Sequence, residues 1–288
     1  MMPLSPALHS LLDAGTPAIL VRVAQALGST PREAGAAMIV TAESLSGTVG
    51  GGALEMVGIE RARAMLRDGA AKDRLAIPLG PAIGQCCGGH VTLALQRLDA
   101  GLLAAEVAAE EAAAAALPAV LLFGAGHTGR AVARSLSPLP FRLCSVDTRR
   151  EAFADWPGGG ETRVTALPEA EVATARPGSA FLVMTHDHAL DFLIAAAALR
   201  RGDAAYVGMI GSATKRETFR RHLAEAGEGH LIEGLTLPIG GAAVRDKRPE
   251  VIAALTAAEL IAALLSKAEE KLGSGFSTGT SQCNSERI

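Results

Sequence analysis

The feature that most constrains the fold is a glycine-rich turn between a short apolar segment and a helical pattern. Residues 119–123 lead directly into Gly124-Ala125-Gly126-His127-Thr128-Gly129, and residues 130–136 have helical periodicity. Glycines in this position let the backbone approach a phosphate at the N-terminus of the helix. Asp147 ends the next predicted strand, residues 141–146, at the spacing of an acid that binds a ribose. This segment therefore predicts a Rossmann-like domain with a parallel sheet, in the α/β class.

Two further strand–helix units follow the glycine motif. Residues 180–184 end in Thr185-His186-Asp187-His188, and residues 205–210 end in Gly211-Ser212; each is followed by a helical pattern. Ligands of such sheets bind outside the carboxyl ends of the strands. The sequence therefore predicts one crevice, lined by Gly124, Asp147, His186, Asp187, Gly211, Ser212 and Lys215.

Several of these polar residues have a simpler interpretation. Asp187 is also a typical N-cap of the helix that follows it. His186 and His188 lack a Glu partner at helical spacing, which favours hydrogen bonds to the backbone over a metal site. Lys215 and Arg216 fit either a solvated helix face or a phosphate site one turn after Gly211-Ser212.

The first third of the chain contains two further glycine-rich loops. In Gly28-Ser29-Thr30-Pro31-Arg32-Glu33-Ala34-Gly35, the Ser29 and Thr30 hydroxyls and the Arg32 guanidinium suit a phosphate or carboxylate. A second loop, Gly47-Thr48-Val49-Gly50-Gly51-Gly52, precedes a helical pattern that contains Glu55. Its N–H groups would face an anion at the helix N-terminus, and the alternative is a flexible turn before a capped helix.

A pair of adjacent cysteines follows in Gly84-Gln85-Cys86-Cys87-Gly88-Gly89. Thiols framed by glycines can be approached closely by a ligand, whereas a core cysteine is usually a single apolar filler. The segment therefore predicts a site. A zinc site, a vicinal disulfide and a tight turn stay open as alternatives, although the other two cysteines, Cys144 and Cys283, offer no Cys-x-x-Cys partner.

These patterns divide the chain into four segments. Residues 1–100 form a smaller α/β domain with the glycine-rich and Cys-Cys loops, and residues 101–118 form an Ala/Glu-rich connector. Residues 119–272 form the Rossmann-like domain, whose last helical pattern, from Pro249, predicts a packing or dimer surface. Residues 273–288 are rich in Gly, Ser and Thr and predict a disordered tail.

Composition excludes some function classes. With a net charge of -3 and 3% aromatic residues, the chain has neither a basic surface nor stacking groups for nucleic acid. The longest apolar run, residues 112–123, is too short to span a bilayer, and the N-terminus lacks a basic segment before an apolar one. Four irregularly spaced cysteines do not form a disulfide framework. We therefore expect a cytoplasmic protein without a membrane segment.

From about residue 11 to residue 265, the chain resembles the XdhC/CoxI family. It departs from the family pattern at residues 241–248. The resemblance is carried by the three loops of the first domain, the Gly124–Gly129 turn, Thr185-His186-Asp187-His188, Gly208-Met209-Ile210-Gly211-Ser212 with Lys215-Arg216, and Pro238-Ile239-Gly240.

The resemblance implies a chaperone for the molybdenum cofactor (molybdopterin), with no catalytic residues of its own. Such a protein binds the cofactor, allows its sulfuration with a cysteine desulfurase as sulfur donor, and inserts it into apo xanthine dehydrogenase. We expect a homodimer in which glycine loops take the phosphate and Cys86 and Cys87 lie beside molybdenum. The expected cofactor-binding residues are Ser29, Thr30, Arg32, Gly50, Gly51, Gly52, Glu55, Gln85, Cys86, Cys87, Gly88, Gly89, Gly124, Gly126, Gly129, Asp147, His186, Asp187, Gly211, Ser212 and Lys215.

Two competing functions remain open. The Gly124-to-Asp147 segment alone supports an NAD(P)-dependent oxidoreductase, with Arg149 and Arg150 available for a 2′-phosphate. This function leaves the thiols and both loops of the first domain unused, so NAD(P) is possible but not expected. The second is an adaptor that docks the desulfurase to the dehydrogenase without binding cofactor, which would need only surfaces that bind these two proteins.

Overall fold

The computed structural model describes residues 3–79, 88–241, 244 and 246–266. The predicted site residues Gln85, Cys86 and Cys87 therefore lie outside the described residues. The chain divides into two compact units, Met1–Ala115 and Ala116–Ile288. No described helix is long and apolar enough to cross a membrane.

The first unit is an antiparallel five-stranded sheet with three helices. The strands lie in the order β3-β2-β1-β5-β4. The elements in chain order are α1 (Ser5–Asp13), β1 (Ile19–Leu27), β2 (Ala37–Val40), β3 (Leu45–Gly47), α2 (Gly52–Asp68), β4 (Lys72–Pro78), β5 (His90–Arg97) and α3 (Ala100–Ala116).

Helix α2 packs closely on this sheet. A Cβ on its buried Gly58 would lie 3.1–3.4 Å from side-chain atoms of Met38, Leu93 and Val21, which belong to β2, β5 and β1. A larger residue would therefore push the helix off the sheet. Leu54, Ile59, Ala62 and Met65 line the same face and are buried with the strand residues.

The Ala/Glu-rich segment forms α3, and two of its glutamates bind other elements of the first unit. Glu106 is buried and pairs with Arg22 of β1. Glu110 accepts hydrogen bonds from the Leu4 N–H (2.6 Å) and from the Ser5 N–H (3.1 Å) and hydroxyl. These bonds fix the helix to the start of the chain.

The second unit is a six-stranded sheet with helices between the strands. Its strands lie in the order β11-β10-β9-β6-β7-β8, and each neighbouring pair is parallel. The elements are β6 (Ala119–Phe123), α4 (His127–Leu136), β7 (Arg142–Asp147), β8 (Glu161–Val164), α5 (Pro168–Thr174), β9 (Ala180–Val183), α6 (His188–Arg200), β10 (Tyr206–Met209), α7 (Ala213–Glu225), β11 (Leu235–Thr236) and α8 (Pro249–Leu264). Short 3-10 helices occupy Arg150–Phe153 and Gly229–Gly234.

Counted from β6, this strand order is the 3-2-1-4-5-6 arrangement of dinucleotide-binding domains. The central strands are buried on both faces, as a parallel sheet requires. Phe123, Phe181 and Val183 pack toward α6 and α7, whereas Leu122 and Leu182 pack toward α4 and α8. The prediction of an α/β protein with a Rossmann-like second part is confirmed.

The sequence patterns did not indicate several short or polar elements. β4 alternates exposed and half-buried residues along most of its length, and β8 is four residues long and mostly exposed. β11 has two residues and adds to β10 only through tertiary pairing. Pairing with neighbouring strands determines these elements, because they bury too little apolar area to show a hydrophobic pattern in the sequence.

Candidate functional site

In the second unit, the glycine turn lies at the point where the strand order reverses. β6 pairs with β7 on one side and with β9 on the other, so the chain connections diverge after β6. A Cβ on Gly124 would lie 2.3 Å from the carbonyl oxygen of Met184, just past the end of β9. The turn therefore packs against the carboxyl end of β9. Ligands of open α/β sheets bind at this switch point.

The three glycines of the motif have different roles. Gly124 has φ +109° and no room for a Cβ, and a Cβ on Gly129 would lie 1.9 Å from the Gly124 carbonyl oxygen. Packing inside the protein explains both. Gly126 has φ -74°, is exposed, and has no described atom within 4 Å of the position that a Cβ would take. Its lack of a side chain leaves the backbone open to a ligand.

Helix α4 begins at Gly126 without a side-chain cap. The first N–H groups of a helix have no partner within the helix and carry its positive dipole end. The two neighbouring helices differ, because Asp187 caps α6 through the N–H groups of Ala189 and Leu190, and Ser212 caps α7 through that of Lys215. Of these three helices, α4 is the one whose start has no side-chain cap.

Asp147 lies at the end of β7, as predicted, and is buried. One carboxylate oxygen accepts bonds from the N–H and Nε of Arg149, and the other accepts from Ala125 N–H (2.8 Å) and Arg149 Nη2 (3.1 Å). Burial alone would raise the pKa of Asp147, but these donors outweigh it and hold the pKa below its ordinary value. The carboxylate thus supports the glycine turn.

A carboxylate offers about four acceptor positions. Arg149 and Ala125 occupy four on Asp147, so a ribose hydroxyl would bind there only after Arg149 moved. Ribose binding by Asp147 stays a prediction, and it requires that Arg149 moves.

A buried ion pair that the sequence analysis missed joins the next two loops. Asp191 of α6 is fully buried and pairs with Lys215 of α7. Its other oxygen accepts bonds from the N–H (2.9 Å) and hydroxyl (2.7 Å) of Thr185, and the Lys215 ammonium also donates to the carbonyl of Ile210 (3.0 Å). The pair thereby holds the loops after β9 and β10. Asp191 was missed because it lies within a helical pattern, four residues after the cap.

The remaining predicted residues of this crevice lie at the expected strand ends. His186, Asp187 and Ser212 are exposed, and Gly211 packs against Lys215 and Leu237. Lys215 is largely buried against Asp191, so a phosphate would have to compete with that carboxylate for its ammonium. The structure therefore brings these side chains to one sheet edge and commits Asp187 and Lys215 to internal bonds.

In the first unit, three predicted loops leave the same end of the sheet. β1 ends at Leu27, which pairs with His90 at the start of β5, and Pro78 at the end of β4 pairs with the same residue. β2 starts at Ala37, beside Gly47 at the end of β3. Registers in the antiparallel sheet thus place the 28–35 loop, the 47–52 loop and Gly88-Gly89 together.

Close backbone contacts join these loops. A Cβ on Gly89 would lie 2.3 Å from the Ser29 carbonyl oxygen, and one on Gly50 would lie 2.9 Å from the Pro31 side chain. The 28–35 loop therefore contacts both of its neighbours. Gly88, Ser29 and Arg32 are exposed at this end.

The second glycine loop already holds an anion, which is the carboxylate of Glu55. One Glu55 oxygen accepts bonds from the Thr48 hydroxyl (2.6 Å) and from the N–H groups of Gly51 (3.1 Å) and Val49 (3.3 Å). Gly50, Gly51 and Gly52 all have positive φ, which bends the loop around this carboxylate. Glu55 therefore occupies N–H groups of a loop for which the sequence left two interpretations open, an external anion and a flexible turn before a capped helix.

The other polar residues of these loops are less constrained. The Thr30 hydroxyl donates to the carbonyl of Arg32 (3.1 Å), and the Arg32 side chain forms no ion pair with any described residue. Within the described ranges, no three His, Cys, Asp or Glu side chains come together as a metal site. Cys86 and Cys87, the predicted molybdenum neighbours, lie outside those ranges.

Comparison with protein families matches both parts of the chain. The family described as XdhC Rossmann domain matches residues 120–260, and the family described as XdhC and CoxI matches residues 11–77. The chain belongs to the XdhC and CoxI family. The α4 start and the Glu55-capped loop both lie within the matched residues, so the resemblance inferred from the motifs is confirmed.

Relatives of this XdhC/CoxI-family protein include YqeB of Escherichia coli K12, described as uncharacterized. It is 28% identical over an alignment of 264 positions, and the alignment covers 87% of this chain and 44% of YqeB. The chain thus spans less than half the length of that relative. A crystal structure described as a xanthine dehydrogenase from Bacillus halodurans has a TM-score of 0.72 at 19% identity, over 92% of this chain and 97% of that one. At this identity the likeness shows the fold.

Proposed function

We propose that this protein is a molybdenum-cofactor chaperone that acts in the maturation of xanthine dehydrogenase, without turnover chemistry of its own. It would hold molybdopterin cofactor, allow its sulfuration by a cysteine desulfurase, and insert it into the apo dehydrogenase, as a cytoplasmic homodimer. Membership of the XdhC and CoxI family supports the role in maturation. The observation that carries cofactor binding is the uncapped start of α4 at the exposed Gly126.

The residues at the α4 start fit the phosphate of this cofactor. No described atom lies within 4 Å of the position that a Cβ on Gly126 would take, so the described protein leaves room for a ligand there. The N–H groups of the first turn, at His127 and Thr128, are suitable donors to a phosphate. When bound, the cofactor supplies a molybdenum centre held by a dithiolene, and soft thiolates are suitable neighbours for such a metal. Cys86 and Cys87 stay the predicted thiolates.

A second candidate function is an NAD(P)-dependent oxidoreductase. The 3-2-1-4-5-6 strand order and the glycine motif favour a dinucleotide. The full set of internal bonds on Asp147 argues against it, because a ribose would find no free acceptor there. We therefore rank the cofactor chaperone first.

Gly126→Ser separates binding from folding in a test of this function. The extended backbone of Gly126 suits an N-cap serine, whose hydroxyl would occupy the N–H groups that a phosphate needs. Gly229→Ser is the matched control, since it lies before β11 at the opposite edge of the sheet and its Cβ has ordinary 3.6 Å contacts. In one experiment, molybdopterin is titrated into the wild type and both variants. In a second, each protein is purified from molybdenum-replete cells, and the fluorescence of any pterin is measured after its oxidation and release.

We expect the wild type and Gly229→Ser to carry pterin, and Gly126→Ser to bind roughly tenfold more weakly or worse, as the loss of a charge-assisted hydrogen bond predicts. NADH binding with turnover of a carbonyl substrate, and no pterin, would favour the oxidoreductase. Activation of the dehydrogenase without any pterin binding would favour the adaptor.

A further inference from the structure

The first unit contains a groove at the end of its sheet that is opposite to the glycine loops. It is lined by the turn before β1, the turn after β2 and the second half of α2, and its volume is about 550 Å³. Ile19 pairs with Val40, so the two turns are neighbours. The lining residues are Thr16, Pro17, Thr41, Ala42, Glu43, Arg63, Leu66 and Arg67.

Arg63 gives this groove an unsatisfied donor. Its Nε is buried and has no hydrogen-bond partner among the described residues. A buried polar group without a partner is costly, and guanidinium groups in proteins are charged at any ordinary pH. Since this Nε has almost no accessible surface, an anion in the groove would reach the Arg63 guanidinium through its Nη groups.

Arg67 places a second positive charge one helical turn away. Like charges at this spacing repel each other unless an anion lies between them. Glu43 is the acidic residue of the lining, and among the described residues it forms no ion pair with either arginine. The charged residues of the lining are therefore two arginines and one glutamate, which leaves a net positive charge in the groove.

The rest of the lining is suited to an apolar body. Pro17, Ala42 and Leu66 provide apolar surface, and Thr16 adds a hydroxyl. The volume lies within the usual range of small-molecule sites, roughly 300–1,000 Å³, and far exceeds what a bare phosphate fills.

We propose that this groove binds a small organic anion, with its carboxylate or phosphate on Arg63 and Arg67 and an apolar group against Pro17 and Leu66. The site is separate from the glycine loops, because α2 starts at Gly52 and rises about 1.5 Å per residue, roughly 16 Å, before it reaches Arg63. It does not depend on the proposed cofactor function.

Phenyl phosphate is a suitable probe because it combines a phosphate with an apolar ring. We expect calorimetry on the full chain to show one equivalent bound that depends on Arg63, with inorganic phosphate weaker and benzyl alcohol silent. Arg63→Gln should weaken phenyl phosphate about tenfold or more. Ala42→Trp should weaken it comparably by filling the groove with every charge kept, since Ala42 is exposed.

Two control variants show where the probe binds. Arg74→Gln removes an exposed arginine of β4 that does not line the groove, and it should bind as the wild type does. Gly126→Ser blocks the α4 start, and it should keep the binding that Arg63→Gln weakens. Equal binding of benzyl alcohol, a silent Arg63→Gln, or an affinity that falls only in Gly126→Ser would overturn the proposal. The proposal would also be overturned if no heat of binding appeared at probe concentrations up to about 10 mM, because a small-molecule site should have a lower dissociation constant than that.

Discussion

The turns before α2 and α4 are both glycine-rich, but among the described residues an internal carboxylate accepts several bonds from the first turn and one, from Ala125 N–H, from the second. At α2 the loop N–H groups and the Thr48 hydroxyl donate to Glu55, so the protein supplies its own anion. At α4 the described residues provide no side-chain cap, and none of their atoms lies within 4 Å of the Cβ position of Gly126. A glycine-rich turn before a helix therefore indicates an anion site, and the tertiary structure decides whether the anion is internal or external.

The largest expected effect tests which glycine of the α4 turn serves folding. Gly129→Ala should destabilise the protein by ~3 kcal/mol, because its Cβ would overlap the Gly124 carbonyl oxygen. Gly126→Ser should leave the free energy of unfolding unchanged or slightly higher, since serine is a favoured N-cap. Urea denaturation of both variants measures this. Equal losses would mean that Gly126 also serves packing, and the contrast between the glycines would fail.

Removing the Glu55 carboxylate from the loop before α2 should have the next largest effect. Glu55→Ala should cost about 2 kcal/mol through the loss of charge-assisted hydrogen bonds, and inorganic phosphate should restore part of that stability by replacing the carboxylate. The measurement is urea denaturation with and without phosphate. Glu60→Ala, an exposed glutamate of the same helix, is the control. If phosphate stabilises Glu55→Ala no more than it stabilises the control, the α2 loop is not a latent anion site.

Asp147→Asn tests the support beneath the α4 turn. We expect a loss of roughly 1–2 kcal/mol at pH 7, because the bonds to Arg149 and Ala125 N–H lose their charge. The pKa of Asp147 is depressed in the folded protein, so its stabilisation is complete above the ordinary carboxyl pKa of about 3.9 and is lost as the pH falls through the folded value. The difference between wild type and variant, measured by urea denaturation, should therefore shrink below pH 4.

The control for this pH dependence is Asp246→Asn. Asp246 pairs with Arg248 at the same two-residue spacing, but Arg248 is exposed and solvent screens the pair. This variant should remain close to the wild type at pH 7. If both variants lost the same free energy of unfolding, burial would not explain the stabilisation by Asp147.

The smallest effect is expected at a conventionally capped helix. Asp187→Ala should cost about 1 kcal/mol through the loss of the bonds from Ala189 and Leu190 N–H, and Asp187→Asn should retain most of the stability. Thermal unfolding measures this. A loss of cofactor binding with no change in stability would instead assign Asp187 to the ligand.

Much of the second unit was predictable because its elements have strong local signals. The apolar strands Ala119–Phe123 and Ala180–Val183 are continuous runs, and Gly124 marks the turn between strand and helix. The edge strand Glu161–Val164 was not predictable, since it is short, polar and held by pairing with β7. Residues that act through distant partners were also missed, such as Asp191, whose role depends on Lys215, 24 positions away.

By itself, the sequence determined the α/β class, the strand–turn–helix motif at Gly124 and the family of the protein, because these depend on local periodicity and on glycines at fixed spacing. Only the tertiary structure decided which donors are free. Glu55 occupies one glycine loop and Arg149 occupies Asp147, whereas the α4 start and the buried Nε of Arg63 have no described partner. A hydrogen-bonding group is open to a ligand only if no neighbour in the folded chain satisfies it. Even for partners that are close in sequence, such as Arg149 and Glu55, this depends on the loop conformation that the fold imposes.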